Sequence, residues 1–447
     1  MRKTKNNKNR NIHEIEIEKL IYGGFGFGKT TDDKIAFVKN AYPGEIVHGN
    51  LIKERKDYSL YSLNKIIQES EDRMFPVCPH FGVCGGCDWL DYKYESQLIW
   101  KKKILKEQLQ RIGKIDYNIE EAIYSKNYFY RNRMEFVSLL KENTINFGMY
   151  KKSSKEKLSI DRCYLCSEKV IDAKSKIENE LNNSNFSVNE KRKISNLVIR
   201  ENDEKELLII FILKSNSTSL IKFIESIKNK YKDFIFVVVI NKNKKIILSG
   251  KVVYRSSNKK FYHQVGKYKY QIHPLSFFQN NRFLLNKLIS DIKSSVETSK
   301  DLLELYCGNG FFTIPLSGKF QKVTAVENSP KSIKSLKENL KINKINNVIP
   351  IREDSHDYLI NSSKKFEAIF IDPPRIGCGG LIDLITESAE KHIYYLSCNP
   401  SALAKDLKLI ISKGFTIERL FLIDLFPNTY HIESFVKLSR KERSITK

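Results

Sequence analysis

The chain of 447 residues is 41% hydrophobic, which is enough apolar material for about three domains of ~150 residues each. It has no run near the ~18 apolar residues of a membrane helix, and its basic, polar start does not resemble a secretory signal. Lysine and arginine exceed aspartate and glutamate by 77 − 52 = 25, which favours a polyanionic partner such as nucleic acid, unless the abundance of lysine is a general bias. We therefore expect a cytoplasmic protein without a membrane partner.

The first 66 residues predict a tail and a small barrel. Residues 1–11 are basic and polar, and we expect them to be disordered. Residues 12–66 combine frequent turns with a period-2 pattern, which is typical of a small β-barrel. The glycine run at residues 23–28 also resembles a phosphate-binding loop, but it lacks the Lys-Ser/Thr ending and the following helix, which disfavours nucleotide binding.

Residues 67–260 predict a central α/β domain with a cluster of cysteines. Residues 94–111 form an amphipathic basic helix that could pack on the C-terminal domain, and residues 207–213 and 234–240 are apolar enough for buried strands. In a chain without an export signal, clustered cysteines point to a metal site rather than to disulfides. Their spacing alone leaves zinc and an iron–sulfur cluster open. The clustered cysteines are Cys78, Cys84, Cys87, Cys163 and Cys166.

Residues 261–447 predict a doubly wound, Rossmann-like sheet, because strand-like runs alternate with helical segments. The first of these strands ends in a glycine turn, where Gly308 and Gly310 permit positive φ and close backbone approach. The second ends in Glu327, where such folds place an acid that accepts hydrogen bonds from ribose hydroxyls. Since the turn lacks the third glycine of a dinucleotide site, we predict S-adenosylmethionine rather than NAD.

Two further motifs predict the chemistry. Asp372-Pro373-Pro374 ends the fourth strand, and Arg375 follows where amine methyltransferases often have an aromatic residue, which argues against methylation of an exocyclic amine. Cys398 lies where a buried strand opens into a loop, which suits a nucleophile, although a buried structural cysteine is the alternative. Uracil C5 becomes a nucleophile only after a thiolate adds at C6, and a base must then remove the C5 proton.

The base is expected in the polar segment at residues 424–433. His431 and Glu433 lie two residues apart and face the same side of an extended chain. Both residue types can accept a proton, so the chemistry alone does not choose between them.

Five motifs follow the order of a known family, and the resemblance to this family covers nearly the whole chain. They are Phe277-Phe278-Gln279-Asn280-Asn281, Leu305-Tyr306-Cys307-Gly308, Asp372-Pro373-Pro374-Arg375, Ser397-Cys398-Asn399-Pro400 and the segment from Phe426 to Glu433. On these motifs the chain resembles the bacterial RNA uracil-5-methyltransferases, which are class I, S-adenosylmethionine-dependent enzymes. It is most similar to the branch that acts on 23S ribosomal RNA and carries an iron–sulfur cluster, and its N-terminal barrel looks like a TRAM domain.

The resemblance implies a role for each motif. It makes Cys398 the nucleophile and selects Glu433 as the base. It implies four contacts to S-adenosylmethionine, from Gln279, Tyr306, Glu327 and Asp372. It implies a 4Fe–4S cluster on Cys78, Cys84, Cys87 and Cys163, with Cys166 spare. The chain departs slightly from the family pattern at Ser401, where threonine is commoner, and at Asn309 within the glycine turn.

We therefore expect a monomeric, three-domain enzyme that methylates C5 of a specific uridine in 23S rRNA, with RNA and not DNA as its partner. Methylation of tRNA uracil is the main alternative, because the catalytic motifs are shared. RNA cytosine-5-methylation is disfavoured, because it commonly places Pro-Cys in the Asp-Pro-Pro region. A non-catalytic assembly factor would not need Cys398 and Glu433. Residues 128–133 interleave aromatic and arginine side chains, which predicts either an RNA contact or an ordinary strand edge.

Overall fold

The N-terminal strands close into a five-stranded barrel. The computed structural model describes residues 12–243 and 249–441, so the predicted tail at residues 1–11 lies outside the described residues. The strands run in the order β1-β2-β3-β5-β4, and β1 pairs with β4 to close the ring. They are β1 (Ile12–Ile21), β2 (Phe25–Thr30), β3 (Ile35–Lys39), β4 (Ile46–Glu54) and β5 (Ser59–Gln68). A Cβ at Gly28 would lie 1.9 Å from the carbonyl oxygen of Glu16, so this glycine lets β2 approach β1.

A second sheet forms the middle of the chain. After helix α1 (Tyr94–Gln108), a π-type turn (Leu109–Gly113) and strand β6 (Glu120–Ile123), seven strands pair in the order β13-β12-β11-β10-β7-β8-β9. The strands are β7 (Arg133–Lys141), β8 (Thr144–Tyr150), β9 (Lys157–Ser159), β10 (Ile194–Glu201), β11 (Leu207–Leu213), β12 (Phe234–Ile240) and β13 (Lys251–Arg255), and the helices are α2 (Glu168–Asn182), α3 (Val188–Lys193) and α4 (Thr218–Ile227). Strands β11 and β12 are apolar throughout because α2 and α4 cover one face and the C-terminal part of the chain covers the other.

The C-terminal sheet has the order β18-β17-β16-β19-β20-β22-β21-β6, with β16 to β20 parallel and β22 antiparallel between β20 and β21. Its elements, with a preceding hairpin, are β14 (Tyr262–Val265), β15 (Tyr268–Gln271), α5 (Leu285–Ser295), β16 (Ser299–Leu305), α6 (Thr313–Leu316), β17 (Phe320–Val326), α7 (Pro330–Ile342), β18 (Val348–Ile351), α8 (Ser355–Asn361), β19 (Phe366–Ile371), α9 (Ile382–Ser388), β20 (Ala389–Ser397), α10 (Pro400–Ser412), β21 (Phe415–Ile423) and β22 (Glu433–Arg440). The strand order reverses between β16 and β19, which is where such sheets bind ligands.

Helix α1 and strand β6 belong spatially to this C-terminal sheet. Strand β6 pairs with β21, and α1 packs beside α10. The predicted division of the chain at residues 66 and 260 stays a prediction. Across residues 12–243 and 249–441, none of the helices combines the length and the apolar character that crossing a membrane would require.

A buried ion pair joins α1 to the loop between β21 and β22. Lys101 Nζ lies 2.7 Å from Asp424 Oδ1, and neither side chain is exposed to solvent. Lys101 also donates to the carbonyl oxygen of Phe426 at 3.1 Å, and Tyr94 Oη donates to Asp424 Oδ2 at 2.8 Å. Each charge is therefore compensated by a group from the other side of the interface.

We predict that Lys101→Met destabilises the protein by about 3–5 kcal/mol, because it leaves the Asp424 carboxylate buried without its partner. Urea unfolding followed by circular dichroism measures the change. Lys106→Met, at an exposed position on the same helix, is the matched control and should change stability by less than ~0.5 kcal/mol. Adding Asp424→Asn to Lys101→Met should recover part of the loss. Equal stability of the Lys101 and Lys106 variants would contradict a stabilising role of the pair.

Candidate active site

Cys398 stands at the carboxyl end of the central strand β20 and is half-buried. The next residue, Asn399, caps helix α10: its Oδ1 accepts hydrogen bonds from the backbone nitrogens of Ser401 (3.0 Å) and Ala402 (3.3 Å). Its Nδ2 donates to the carbonyl oxygen of Arg375 at 2.9 Å, which fixes the loop after Asp372-Pro373-Pro374 beside the cysteine. The Ser-Cys-Asn-Pro motif thus ends a strand, starts a helix and positions a second loop.

Glu433 comes to lie opposite Cys398 through strand register. Strands β20 and β22 are antiparallel, and Ser397 pairs with Ser434. Cys398 follows Ser397 and Glu433 precedes Ser434, so both residues stand at the same end of this strand pair, and the charge of Glu433 acts on the Cys398 thiol. Glu433 is only 9% exposed. The antiparallel pairing therefore brings the predicted nucleophile and a predicted base together.

The charges of this site repel one another. Burial raises the pKa of the Cys398 thiol to about 12, with Glu433 and Asp372 adding to the rise and Arg375 opposing it. Burial, followed by the charge of Asp372, raises the pKa of the Glu433 carboxyl well above its usual value. Burial also raises the pKa of Asp372 to about 7. Because three acidic groups share one poorly solvated space, the resting site favours the neutral thiol.

His431 occupies a different environment from Glu433. Its ring packs against Tyr430 at 4.6 Å and against Phe426 at 5.7 Å between ring centroids. Burial lowers the pKa of His431 to about 4, and the positive charges of Arg375, Lys101 and Arg131 contribute. The imidazole is therefore neutral at pH 7 and belongs to an aromatic wall of the site.

The carboxyl ends of β16, β17 and β19 bring three predicted cofactor residues to one edge of the sheet: Tyr306, Glu327 and Asp372. Glu327 accepts hydrogen bonds from the backbone nitrogens of Gly308 (3.1 Å) and Ser329 (2.7 Å), so its carboxylate is fixed beside the glycine turn. Gly308 has φ +56°, and a Cβ there would meet no atom within 4 Å. This open space lets a ligand approach the backbone, as a nucleoside cofactor at the glycine turn requires.

The fourth predicted cofactor residue, Gln279, is placed by the central part of the chain. Asn132 Nδ2 donates to the carbonyl oxygen of Gln279 at 3.0 Å, and Asn309 Nδ2 links Phe277 to the glycine turn at 3.3 Å. The sequence interpretation missed Asp354, the N-cap of α8, whose charge acts on the Tyr306 hydroxyl. An acid at a helix start, three residues after a short strand, was the available signal.

The loop that leads to Glu433 is held at Asn428, which has φ 63°. Its backbone nitrogen donates to Gln97 Oε1 at 2.9 Å, and its carbonyl oxygen accepts from Asp88 N (3.0 Å) and Trp89 N (3.1 Å). Its Nδ2 donates to the carbonyl oxygen of Asn127 at 2.7 Å. Helix α1 and the cysteine-rich segment therefore hold this loop from outside the sheet.

The predicted RNA contact at residues 128–133 is wrong for Tyr130. This side chain is fully buried, and its hydroxyl donates to the carbonyl oxygen of Pro427 at 3.1 Å. Phe129, by contrast, is 38% exposed. The aromatic pattern at Tyr130 reflects packing under the loop rather than a binding surface.

The four cysteines predicted as cluster ligands surround one cavity. The cavity has a volume of about 30 Å³, and its walls also include Arg131, Met134 and Ile160. The cysteines at this cavity are Cys78, Cys84, Cys87 and Cys163. Cys166 lies behind it, fully buried. In the part of the chain that the structure describes, no three His, Cys, Asp or Glu side chains are arranged to hold one metal ion.

The family model described as tRNA (Uracil-5-)-methyltransferase matches residues 93–441. A Thermotoga maritima protein named "Uncharacterized RNA methyltransferase" is 31% identical over 445 residues, which covers 97% of this chain and all of that protein. The 23S rRNA (uracil(1939)-C(5))-methyltransferase RlmD of Aliivibrio fischeri is 26% identical over 447 residues. The match covers 98% of this chain and 98% of that protein.

One solved structure shares the fold over almost the whole chain. It is the Pyrococcus abyssi tRNA (uracil-54, C5)-methyltransferase in complex with S-adenosyl-L-homocysteine, with a TM-score of 0.76 and 23% identity. The match covers 95% of this chain and 100% of that one. The predicted methyltransferase fold is thereby confirmed.

We predict that Cys398 is alkylated by iodoacetamide more slowly at pH 8 than an ordinary thiol, whose pKa is ~8.5, because its own pKa is about 12. Glu433→Gln removes a repelling carboxylate, so the rate should rise roughly 3- to 10-fold, as for a pKa shift of ~0.5–1. Arg375→Gln should lower it. Mass spectrometry of the Cys398 peptide between pH 8 and 10 measures each rate.

The matched control is His431→Gln, because the neutral imidazole exerts no charge on the sulfur in this pH range. Its alkylation rate should equal that of the wild type. A slower reaction of the Glu433 variant would contradict the charge arrangement described here.

Proposed function

The chain belongs to the tRNA (Uracil-5-)-methyltransferase family, and from this premise we propose that it transfers a methyl group from S-adenosylmethionine to C5 of a specific uridine in 23S rRNA. The observation that carries the proposal is the position of Cys398 across from Glu433, beside the glycine turn and Asp372. This arrangement gives a thiol and a carboxyl group access to one base next to a cofactor space.

S-adenosylmethionine, when bound, supplies an electrophilic methyl group. Cys398 Sγ loses its proton and forms a bond to C6 of the uracil, which makes C5 nucleophilic. After C5 has gained the methyl group, Glu433 takes the C5 proton, the bond from sulfur to C6 breaks, and the ring double bond returns. The raised pKa of Glu433 suits this role, since a carboxylate of higher pKa is a stronger base.

The four residues proposed to contact the cofactor lie at different places around the glycine turn. Glu327 presents its carboxylate from the turn after β17, where a ribose can be bound. Tyr306 and Gln279 flank the glycine turn, and Asp372 lies between this turn and Cys398. Arg375 opposes the rise in the pKa of Cys398, so its positive charge eases loss of the thiol proton.

The choice of 23S rRNA over tRNA rests on the full-length relatives named for 23S rRNA, together with the barrel and the cysteine-rich segment. The similar structure is a tRNA enzyme, so tRNA is the second candidate substrate. We propose that the barrel is a TRAM domain and that the enzyme acts as a monomer in the cytoplasm.

We predict that the protein converts one uridine of a 23S rRNA transcript to 5-methyluridine. Labelled S-adenosylmethionine is incubated with 23S rRNA or tRNA transcripts, and the label is mapped by nuclease digestion and mass spectrometry. Cys398→Ala should abolish turnover but keep cofactor binding. Glu433→Gln should slow product formation by about 10²–10⁴ and accumulate a covalent protein–RNA adduct, since the C5 proton is no longer removed.

His431→Gln is the control for the base and should keep the rate within about tenfold. A normal rate for Glu433→Gln beside a slow His431→Gln would move the base to His431. Label in tRNA alone would keep the mechanism and overturn the substrate. The absence of label from 23S rRNA, tRNA and pre-ribosomal particles would overturn the enzyme and leave a binding factor.

We propose further that Cys78, Cys84, Cys87 and Cys163 hold a 4Fe–4S cluster. What supports this assignment is that all four cysteines line one cavity, as four thiolates around a single cluster would. When bound, the group supplies a rigid cross-link between the segment before α1 and the segment before α2. Methyl transfer as described above needs no electron from it.

The protein purified without oxygen should contain about four iron and four sulfide per chain and absorb visible light. Cys163→Ala should lower the iron content, whereas Cys166→Ala is the matched control and should keep it. Iron and acid-labile sulfide analysis provides the measurement. Stoichiometric zinc in place of iron would overturn the cluster assignment.

A further inference from the structure

The turn between barrel strands β1 and β2 reaches the active-site loop of the C-terminal sheet. Tyr22 follows β1 directly, and its ring lies edge-to-face against Tyr430, with 6.3 Å between centroids and an interplanar angle of 84°. Tyr430 precedes His431 and stands three residues before Glu433. A side chain of the barrel therefore contacts the loop that carries the proposed base.

Gly24 makes this close approach possible. It has φ +81°, and a Cβ at this position would lie 3.0 Å from Cδ1 of Tyr430. A larger residue would push the turn away from the loop and would also strain the backbone. The glycine run that resembled a phosphate-binding loop thus serves, at this position, the contact between the barrel and the active site.

The hydroxyl of Tyr22 shares the electrostatic environment of the reacting groups. Burial raises its pKa, the hydroxyl of Tyr430 adds to the rise, and so do the negative charges of Cys398 and Glu433, while Arg375 opposes them. The charges of Cys398 and Glu433 therefore act on Tyr22, and the phenol is neutral at pH 7.

Tyr22 also lines a groove between the barrel and helix α1. The groove has a volume of about 370 Å³ and includes Phe37 and Tyr58 on the barrel and Arg111 after the helix. The rings of Phe37 and Tyr58 lie 4.7 Å apart. Aromatic faces beside an arginine suit unpaired bases, which stack on rings and guanidinium planes. Tyr22 lines this groove and also contacts Tyr430 in the loop that carries Glu433.

We propose that Tyr22 is a positioning residue whose ring forms one wall of the space that receives the target uracil in front of Cys398. This inference rests on the proposed function, and it makes the barrel a part of the active site as well as an RNA-binding module. A target base must leave its stack to reach Cys398, and an aromatic wall stabilises the extruded base. The ring, rather than the hydroxyl, carries this role.

The test separates a contact with the target base from a structural role of Tyr22. RNA that carries the target uridine is compared with the same RNA carrying an abasic site at that position. Both dissociation constants are measured on one preparation of each protein. Because the ratio of two constants is independent of the folded fraction, partial misfolding of a variant cancels. The change in this ratio between proteins isolates the interaction of Tyr22 with the base.

We expect Tyr22→Ala to reduce the preference for the uridine RNA over the abasic RNA by roughly 5- to 150-fold, as loss of one base–aromatic stack would. Tyr22→Phe should keep the wild-type ratio within about threefold, since the ring remains. Tyr58→Ala is the matched control on the same barrel and should weaken the binding of both RNAs equally. S-adenosylmethionine binding should be unchanged in all three variants.

An unchanged ratio in Tyr22→Ala, with wild-type methylation intact, would overturn this inference and leave the proposed function standing. Loss of the ratio in Tyr22→Phe as well would assign the contact to the hydroxyl and overturn the role of the ring. If the wild-type protein methylates no uridine, the proposed function falls, and this inference falls with it.

Discussion

The loop between β21 and β22 must deliver Glu433 to a fixed place, yet between Ile423 and Glu433 it has no strand pairing of its own. Its position is set from outside by the buried Lys101–Asp424 ion pair and by the hydrogen bonds of Asn428. A fully buried pair is only tolerated when both charges are compensated, so the two partners cannot separate without a large penalty. The distance between the proposed base and the proposed nucleophile therefore depends on helix α1, which lies more than 300 residues earlier in the chain.

The same enclosure that fixes the geometry also determines the protonation of the site. Exclusion of water raises the pKa of Cys398, Asp372 and Glu433 together, because each anion would be poorly solvated and would repel the others. The site thus disfavours a free thiolate, which limits side reactions of the sulfur. Arg375, held by Asn399 through the backbone, is the nearby positive charge that eases ionisation. Reactivity is consequently coupled to the structure of two short loops.

Sequence patterns predicted those features that depend on local structure. A strand followed by a glycine turn, an acid after the next strand, and a cysteine between a strand and a helix cap each leave a local signal, and the structure brings Glu327, Asp372 and Cys398 to one edge of the sheet. The contrast between His431 and Glu433 depends on which strand pairs with β20, and that register is a long-range property. Lys101 lacked a signal because its partner is remote in sequence. The predicted RNA contact is wrong at Tyr130 because buried aromatic residues and RNA-binding aromatic residues leave the same pattern in a sequence.

Two elements from outside the C-terminal sheet contact the loop that carries Glu433. The cysteine-rich segment reaches it through Asp88, Trp89 and Asn428, and the barrel reaches it through Tyr22 and Gly24 against Tyr430. Neither element contains the proposed nucleophile or the proposed base, so changes within them can alter which RNA is accepted without altering the proposed chemistry at C5. A shared family of catalytic motifs can then serve different RNAs, because selection acts on the groups that hold the loop and border the base. The loop therefore links the N-terminal elements, which contact it, to the proposed reaction at Cys398.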